Sequence, residues 1–308
     1  MADEITFSSL LNNQAESEIL SGLYLMALAD RNALPAHPAL FRVPGVGGRG
    51  STTQKIPQIG LMGYDLLAST GDGSAVANSA LTDAAGTLAT ARYSKSYEST
   101  DLARLVDAHG VLRPEVMAMD AVVSVASTLL SLHANLVDNF ATTVGASGVD
   151  ATLENILDAI TSLEINKVAG PFLGILHPVQ WGDVRKDAAL NAGGAIQWNA
   201  GSQQMLDAMK GLGYQGNFLG VDFFTSTHVP TANAGADRAG GIFGHGAIAY
   251  VLDSIEADPD LPQVSIGGEV LFEKSRTAKS GLTAYVSHAY MGASEQIDLC
   301  GVSVITDA

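Results

Sequence analysis

The first hundred residues constrain the fold most, because they lack the apolar periodicity needed to build a core of their own. Residues 5 to 30 carry a helical pattern, but the stretch from 32 to 57 is broken by four prolines and a glycine-rich run. Such a segment is too irregular for a packed domain and too long for an ordinary connection. We therefore expect residues 1 to about 55 to form an extended arm, for which a neighbouring subunit is the natural support.

Two strand-prone segments follow around a polar tip. The first is QIGLMGYDLL, from residue 58, and the second is TLATARYSKSYES, from residue 87. In the second, small or apolar residues alternate with Arg92, Ser94 and Ser96, as in a two-sided ribbon. A long hairpin with so little core is not stable alone in water. We expect it to pack on another part of the assembly.

The strongest single element is a helix predicted from Pro114 to about Thr143. Apolar residues recur there at three- and four-residue steps, and proline suits a first helical turn. About 30 residues at 1.5 Å each give a rod of roughly 45 Å, long enough to cross the molecule. Asp120, His133 and Asn135 interrupt its apolar run, which favours a buried helix of a soluble protein over a membrane span.

The remainder of the chain predicts a mixture of helices and strands. Residues 150 to 255 contain two helical stretches and several apolar strands, among them PFLGILH, which precedes a helix beginning at Pro178. From Pro262 the pattern becomes β-like, in PQVSIGGEVLFEKSR, LTAYVSHAYMGA and IDLCGVSVIT. The sequence therefore predicts an α+β fold.

Charge and cysteine content exclude several classes of protein. The chain has 16 basic and 32 acidic residues, a net charge of −16, so it lacks the basic footprint of a nucleic-acid binder. Only 16% of residues are charged, against roughly 25% in an average domain, which favours a surface covered by other subunits. A single cysteine, Cys300, excludes an intrachain disulfide. Asp3 and Glu4 at the N-terminus are unlike a signal peptide, which indicates a cytoplasmic start.

Motifs that carry chemistry are weak. GVGGRG, at residues 45 to 50, has the letters of a dinucleotide fingerprint, but Pro44 precedes it where a strand should end, so a flexible hinge is favoured. Among the histidines, His245 is interpreted as a hydrogen-bonded residue of a close-packed strand. His133 is interpreted as a residue of the core or of an interface. His177, before Pro178, is interpreted as a local cap.

Other polar groups have similarly simple interpretations. Asp107 and His109 have the letters of a catalytic triad, but no sharp turn presents a serine to them. Trp181 is interpreted as part of a solvated or interface helix face, and Cys300 as buried and inert. An acidic loop is favoured over a cation site for three carboxylates, Glu256, Asp258 and Asp260. The sequence thus predicts no catalytic residue, no cofactor and no metal site, and hence a protein that is not an enzyme.

Three stretches point to a known family. FLGILHPVQWGDVRKDAAL, GGIFGHGAIAYVL and VSHAYMGASEQIDLCGVSVITDA, in this order and spacing, resemble the major capsid protein of tailed double-stranded DNA bacteriophages, which has the Hong Kong 97-type fold. The resemblance covers essentially the whole chain. It implies five parts, namely an N-terminal arm (1–55), an extended β-hairpin loop (56–100), a peripheral domain with a spine helix (101–145), an axial α/β domain (146–250) and C-terminal strands of the peripheral domain (251–308).

The same resemblance implies a structural role. Such a subunit self-assembles as hexamers and pentamers into an icosahedral capsid that encloses double-stranded DNA without sequence-specific binding. It is assembled in the host cytoplasm, without a membrane, and scaffolding, decoration and portal proteins are its further partners. Some members join their subunits covalently through a lysine of the loop and an asparagine of the peripheral domain. Lys55 and Lys95 lie in or near the loop here, but no asparagine follows Asn233, so we expect a non-covalent shell.

Two alternatives remain open from the sequence. The first is an encapsulin, a cellular compartment of the same fold that packages an enzyme cargo through a pocket under the arm. The second is an oligomeric α/β enzyme. Neighbouring genes for phage terminase and portal proteins would indicate a virus, whereas a gene for a ferritin-like cargo would indicate an encapsulin. A small soluble oligomer that turns over a substrate would favour the enzyme.

Overall fold

The structure is a computed structural model that describes residues 37–45, 51–60, 82–106, 114–191, 214–253, 263–266 and 269–307. Its helices are α1 (Asp101–Val106), α2 (Pro114–Leu136), α3 (Leu153–Ile165) and α4 (Pro178–Asn191). Its strands are β1 (Leu40–Arg42), β2 (Thr53–Gly60), β3 (Thr82–Ala89), β4 (Ala91–Thr100), β5 (Thr143–Val144), β6 (Phe172–Leu176), β7 (Tyr214–Phe218), β8 (Val221–Thr225), β9 (Thr231–Ala232), β10 (Asp237–Phe243), β11 (Ile248–Leu252), β12 (Gln263–Ile266), β13 (Val270–Thr277), β14 (Leu282–Glu295) and β15 (Gly301–Asp307).

The first sheet has six strands built around β14. Its order is β1-β11-β14-β13-β12, and β4 also pairs with β14. The first part of β14 lies between β4 and β13, which pair with residues 282–291 and 282–289, and its last part, residues 291–295, pairs with β11; all three pairings are antiparallel. Alternate residues of β14 are buried, as expected for a strand with one covered face.

The second sheet has seven strands in the order β5-β15-β10-β6-β8-β7, with β9 beside β10. Helix α3 places Ile156 and Leu163 in the same core as Val302 and Val304 of β15. Gly174 in β6 is required by this packing, because a Cβ there would lie 2.6 Å from the ring of Phe223. Together the two sheets and their helices confirm the predicted α+β fold.

Helix α2 starts at Pro114 as predicted, but it is shorter than the sequence pattern suggested. It ends at Leu136 after 23 residues and continues as one 3₁₀ turn, Val137–Asn139, so the predicted end near Thr143 is wrong. Asp120–Asn139 is long and apolar enough to cross a membrane by length and composition alone, a test that the core helix of a soluble protein also passes. Here the helix packs on the first sheet, and its inner residues are buried in that core, among them Ala118, Val122, Val125 and Leu129.

His133 confirms its predicted place in the core. Its side chain is fully buried, its Nδ1 lies 2.7 Å from the carbonyl oxygen of Leu129, and its ring packs edge-on against Tyr250. Because Nδ1 faces a carbonyl it must carry the proton, and Nε2 is left without a hydrogen-bond partner. Burial lowers the pKa of His133 to about 4.

We predict that His133 makes the fold acid-sensitive. The unfolded chain binds a proton near pH 6.5, but the folded chain does not until about pH 4. Folding stability should therefore fall as the pH drops through this window, by about 3 kcal/mol for this group, and be unaffected above it. Urea unfolding of wild type and His133→Leu at pH 7 and pH 4.5 measures this. The stability difference between the two proteins should shift in favour of the variant at low pH, and an unchanged difference would contradict the prediction.

The strand pairing shows how distant parts of the chain are joined. Residues 37–45 fall within the predicted arm, and here Ala39, Leu40 and Val43 are buried in the chain's own core while β1 pairs with β11, so this part of the arm is supported by its own chain. GGIFGHGAIAYVL forms two strands in different sheets, since β10 belongs to the second and β11 to the first. The strands after residue 262 are also divided between the sheets, because β12, β13 and β14 lie in the first and β15 pairs with β10 in the second.

Candidate functional site

The hairpin of β2 and β3 is confirmed as an antiparallel ribbon, with pairing from Thr53 opposite Ala89 to Gly60 opposite Thr82. The predicted second segment is divided at Thr90, because β4 leaves the hairpin and joins the first sheet. The polar segment predicted between the two strands, residues 69–86, is described only in part: residues 82–86 belong to β3, which corrects the prediction, and residues 61–81 lie outside the described residues. Because β3 continues almost directly into β4, the first sheet fixes the direction in which the hairpin points.

The root of the hairpin is anchored on the first sheet. Leu88 is fully buried in a small cluster with Val43, Ala249 and Val251. Gln54 is also buried, and its amide donates to the carbonyl of Pro44 at 3.0 Å. These contacts hold the ribbon against residues of β11 and against the segment that follows β1.

Gly292 in β14 allows the end of β3 to lie very close to the first sheet. A Cβ at this position would lie 2.0 Å from the carbonyl oxygen of Ala89, where β3 ends. Real side chains are essentially never found at such a distance from backbone. The hairpin can therefore cross the sheet here only because residue 292 is glycine.

Beyond this root the hairpin presents its side chains to solvent. Six residues of β2 and β3 whose burial is described are exposed, namely Thr53, Lys55, Pro57, Ala85, Thr87 and Ala89. A two-stranded ribbon has unpaired backbone groups along both edges and too little core for independent stability. Such an element is stable in water when another surface covers it.

The first sheet also has an open face. Helix α2 lies on one side, where Lys95 and Tyr97 of β4 contact Asp120. On the other side, beyond the hairpin root, β14 presents a row of half-exposed residues, and the adjacent residues of β4 are exposed. We call these residues the open face: Ala284, Val286, His288 and Tyr290 of β14, with Arg92, Ser94, Ser96 and Glu98 of β4.

Helix α1 follows β4 at one end of the first sheet, beside the turn between β13 and β14, and none of its residues is buried. Three neighbouring parts form a unit here: α1, the turn of residues 278–281 and the end of β13 next to that turn. We call this unit the tip; it is distinct from the end of the hairpin. Asp101 donates its backbone N–H to the carbonyl of Gly281, which fixes α1 against the turn. Three large apolar side chains of α1 are left in solvent, with Leu102 70%, Leu105 83% and Val106 68% exposed. Clusters of this kind mark surfaces that associate with another molecule.

The segment before β1 is held to the second sheet by a partly buried carboxylate. Asp222 of β8 accepts hydrogen bonds from His37 Nε2 at 3.0 Å, from Asn217 at 2.9 Å and from Tyr214 at 3.1 Å. Burial alone would raise the pKa of Asp222, but these donors hold it below its ordinary value. Because β1 pairs with the first sheet and His37 binds the second, this short segment bridges the two sheets.

A groove of about 190 Å³ lies between α2 and the first sheet. Lys95 is its cationic residue, and its Nζ lies 2.6 Å from Asp120 and 2.7 Å from Ser124. The hydrogen bond to Asp120 raises the pKa of Lys95, which keeps this amine protonated and non-nucleophilic. The interaction stabilises the contact between β4 and α2 and gives no arrangement for catalysis.

The predicted histidines fall into different places. His177 is confirmed as a cap, since its Nδ1 accepts from the N–H of Val179 in the first turn of α4. His245 is not in a packed strand: it lies exposed in the turn between β10 and β11, and its Nδ1 is 2.9 Å from the carbonyl oxygen of Pro38. The glycines on either side form a turn rather than a close-packed strand.

Two further interpretations are corrected. Trp181 is only 4% exposed and packs on Phe223 with ring centroids 4.9 Å apart, so it belongs to the core of the second sheet. Cys300 lies in a 3₁₀ turn and is half-buried, with a pKa raised by burial, which agrees with low reactivity but not with full burial in a strand. Several predicted residues lie outside the described ones: Asp107, His109, Glu256, Asp258, Asp260 and most of GVGGRG.

Among the described residues, no group of three or more histidine, cysteine, aspartate or glutamate side chains could hold a metal ion. The functional features that sequence reasoning missed are the tip and the Asp222 cluster. The spacing of Leu102, Leu105 and Val106 marks one helix face and could have indicated α1. His37 and Asp222 are 185 residues apart, and their pairing has no local sequence signal.

Comparisons with known proteins complete the description. No protein-family model and no curated protein sequence matches the chain. Among solved structures, the capsid of Ralstonia phage GP4 matches with a TM-score of 0.61 at 10% identity, over 90% of this chain and 92% of that chain. The capsid of the cyanophage P-SCSP1u matches with a TM-score of 0.56 at 12% identity, over 87% and 86%. The SrpI encapsulin complex from Synechococcus elongatus matches with a TM-score of 0.57 at 12% identity, over 94% and 89%.

These similarities identify the fold. The matching chains are mostly phage capsid proteins of the Hong Kong 97 type, and each is aligned over most of its length. The chain therefore has the Hong Kong 97-type capsid fold that its sequence resembles.

Proposed function

We propose that this chain is the shell subunit of an icosahedral phage capsid that encloses double-stranded DNA. The observation that carries the proposal is the near end-to-end alignment with capsid chains, which leaves little of this protein outside the shared fold. Hexamers and pentamers of the subunit would form the shell, and it would assemble in the host cytoplasm. Scaffolding, decoration and portal proteins are its proposed further partners.

The unpaired surfaces support this role. The exposed hairpin, the open face and the tip each lack a covering layer within the described chain, and a shell supplies neighbours for all three. Obligate assemblies bury apolar surface of this kind. We propose that the hairpin is the extended loop and that the first and second sheets belong to the peripheral and axial domains.

The charge of the chain suits a container for DNA. A net charge of −16 gives an overall negative field, which repels phosphates and prevents packaged DNA from adhering to the wall. No catalytic function is part of the proposal.

Electron microscopy tests the proposal directly. Purified full-length protein, or its co-expression with the genes next to it, should yield closed particles hundreds of ångströms across in negative stain. A monodisperse monomer or small oligomer in both preparations, confirmed by sedimentation velocity, would overturn the proposed function.

An encapsulin shell is the second candidate, because the SrpI encapsulin matches as well as the phage capsids do. The contents of particles from the natural source separate the two. Nuclease-resistant double-stranded DNA of uniform length supports the capsid, whereas a stoichiometric folded cargo protein without DNA supports the compartment.

We predict that the particles are held together non-covalently. Lys55 is exposed on the hairpin, but Lys95 is paired with Asp120 and Ser124 of its own chain, and no asparagine follows Asn233. Boiling purified particles in detergent should therefore release the subunit as a single monomer band. A ladder of oligomers that survives boiling and reduction would contradict this, and mass spectrometry of the ladder would locate the bond.

A further inference from the structure

Arg238 of β10 is a partly buried cation that forms no ion pair within the described part of the chain. Its Nε is buried and has no hydrogen-bond partner. Its Nη1 lies 3.4 Å from the carbonyl oxygen of Val229, which is long for a hydrogen bond. Arginine is rarely taken out of water without a partner, so an orphaned buried donor on this side chain points to a ligand.

The Arg238 side chain lies on the face of the second sheet that carries α4. Alternate residues of a strand share a face, and a Cβ at Gly240, two residues along β10, would lie 2.8 Å from Oε1 of Gln180 in the first turn of α4. The Gln180 amide also donates to the carbonyl oxygen of Arg238 at 3.0 Å. Arg238 is therefore next to the N-terminal end of α4, where the helix dipole adds positive potential.

His177 supplies a second donor at this place. Its Nδ1 accepts the N–H of Val179 at 3.3 Å, so the neutral ring carries its proton on Nε2, which donates to no described residue. Burial and the charge of Arg238 lower the pKa of His177, which shows that the two side chains are close. Thr231 of β9 is exposed and directly opposite Arg238, so its hydroxyl lies on the same face.

The neighbouring carboxylates face away or are already bonded. Asp237 and Asp307 are opposite each other in β10 and β15 and lie on the other face of the sheet from Arg238. On α4, Asp183 pairs with Lys186 at 2.6 Å. Asp187 accepts a backbone N–H at the start of α3 at 2.8 Å. The group of side chains around Arg238 thus combines a positive charge with donors.

We propose that Arg238 and His177 form a binding site for a phosphate group. A guanidinium binds two phosphate oxygens through its paired N–H groups, and the imidazole N–H and the Thr231 hydroxyl suit the remaining oxygens. A carboxylate has only two oxygens, so the guanidinium alone would occupy it. Free phosphate and the backbone of nucleic acid both carry this group, and the net charge of −16 repels a long polyanion more than a small ion.

Equilibrium dialysis against radiolabelled inorganic phosphate tests the inference on the full chain. In about 0.05 M sodium chloride, where screening is weak, wild type should bind one phosphate per chain with a dissociation constant below about 1 mM. Arg238→Gln should weaken binding at least about tenfold, because it removes the charge and the paired donors. Arg185→Gln is the matched control at an exposed position of α4, and its affinity should stay within about twofold of wild type.

A second variant covers the case in which Arg238→Gln does not fold, which circular dichroism melting establishes. His177→Asn keeps a side-chain oxygen that can cap α4, because asparagine is a good cap, but it lacks the Nε2 donor. Its affinity for phosphate should fall about fivefold, the effect of one hydrogen bond.

Competition with a short DNA duplex separates the two sources of the phosphate group. Displacement of labelled phosphate from wild type by the duplex assigns the site to the nucleic-acid backbone, and retention of the label assigns it to free phosphate. No binding by wild type, or equal binding by wild type and the two site variants, would overturn the inference. These results leave the proposed function untouched, since that depends on the formation of closed particles.

Discussion

Gly292→Ala should prevent particle formation while leaving most of the chain folded. The new Cβ would lie 2.0 Å from the carbonyl oxygen of Ala89, so the root of the hairpin must move away from the first sheet. A displaced root swings the whole ribbon from the position in which it would cover a neighbour. A loss of about 3 kcal/mol per contact reduces pairwise affinity more than a hundredfold, which is enough to abolish a shell that depends on many such contacts.

Gly182→Ala provides the matched control for this substitution. Nothing lies within 4 Å of a Cβ at residue 182, and alanine is a better helix former than glycine in α4. Particle yield by sedimentation and thermal melting should therefore match wild type in the control. Normal particles from Gly292→Ala would show that the hairpin position is not needed for assembly.

Phe140→Ala should cause the largest loss of stability. The ring of Phe140 is 2% exposed, contacts the ring of Phe243, and fills the space above Gly301, where a Cβ would lie only 2.3 Å from it. The Ser303 hydroxyl donates to the backbone carbonyl of Val137 at 2.6 Å and lies 3.3 Å from that of Phe140. We expect this anchored segment to collapse little into the cavity that the substitution leaves. We expect the free energy of unfolding to fall by about 3–5 kcal/mol.

Urea unfolding measures this effect. Phe41→Ala is the control, because it makes the same substitution at an exposed position. Phe41 is 40% exposed on the edge strand β1, so its truncation should cost about 1 kcal/mol or less. Phe140 follows the end of α2 and packs on Phe243 of the second sheet, so it joins the two. Equal losses of unfolding free energy in the two variants would contradict this role.

Local patterns predicted most of the elements. The start of α2 at Pro114, the strand within PFLGILH, the helix beginning at Pro178 and the β-rich end of the chain all follow from residue spacing and proline placement. The hairpin was also recognised, because alternation over short segments marks strands. In each case the signal lies within the element that it predicts.

Sheet membership could not be predicted in this way. Within GGIFGHGAIAYVL, Phe243 ends a strand of the second sheet and Ile248 begins one of the first, and nothing in its apolar pattern indicates this change of sheet. A period of two residues defines a strand but does not say which partner it pairs with. The same limit applies to Trp181, since the polar residues after it suggested an exposed helix face while its burial depends on Phe223 from another strand.

The order of strands in the second sheet has a consequence for synthesis. β15 lies between β5 and β10, and residues 301–307 leave the ribosome after every other strand of that sheet has been made. A nascent or prematurely terminated chain therefore has a gap at this position, with Val302 and Val304 missing from the hydrophobic layer under α3. Such polypeptides should remain substrates for chaperones and proteases, and this excludes incomplete translation products from any particle that the finished protein builds.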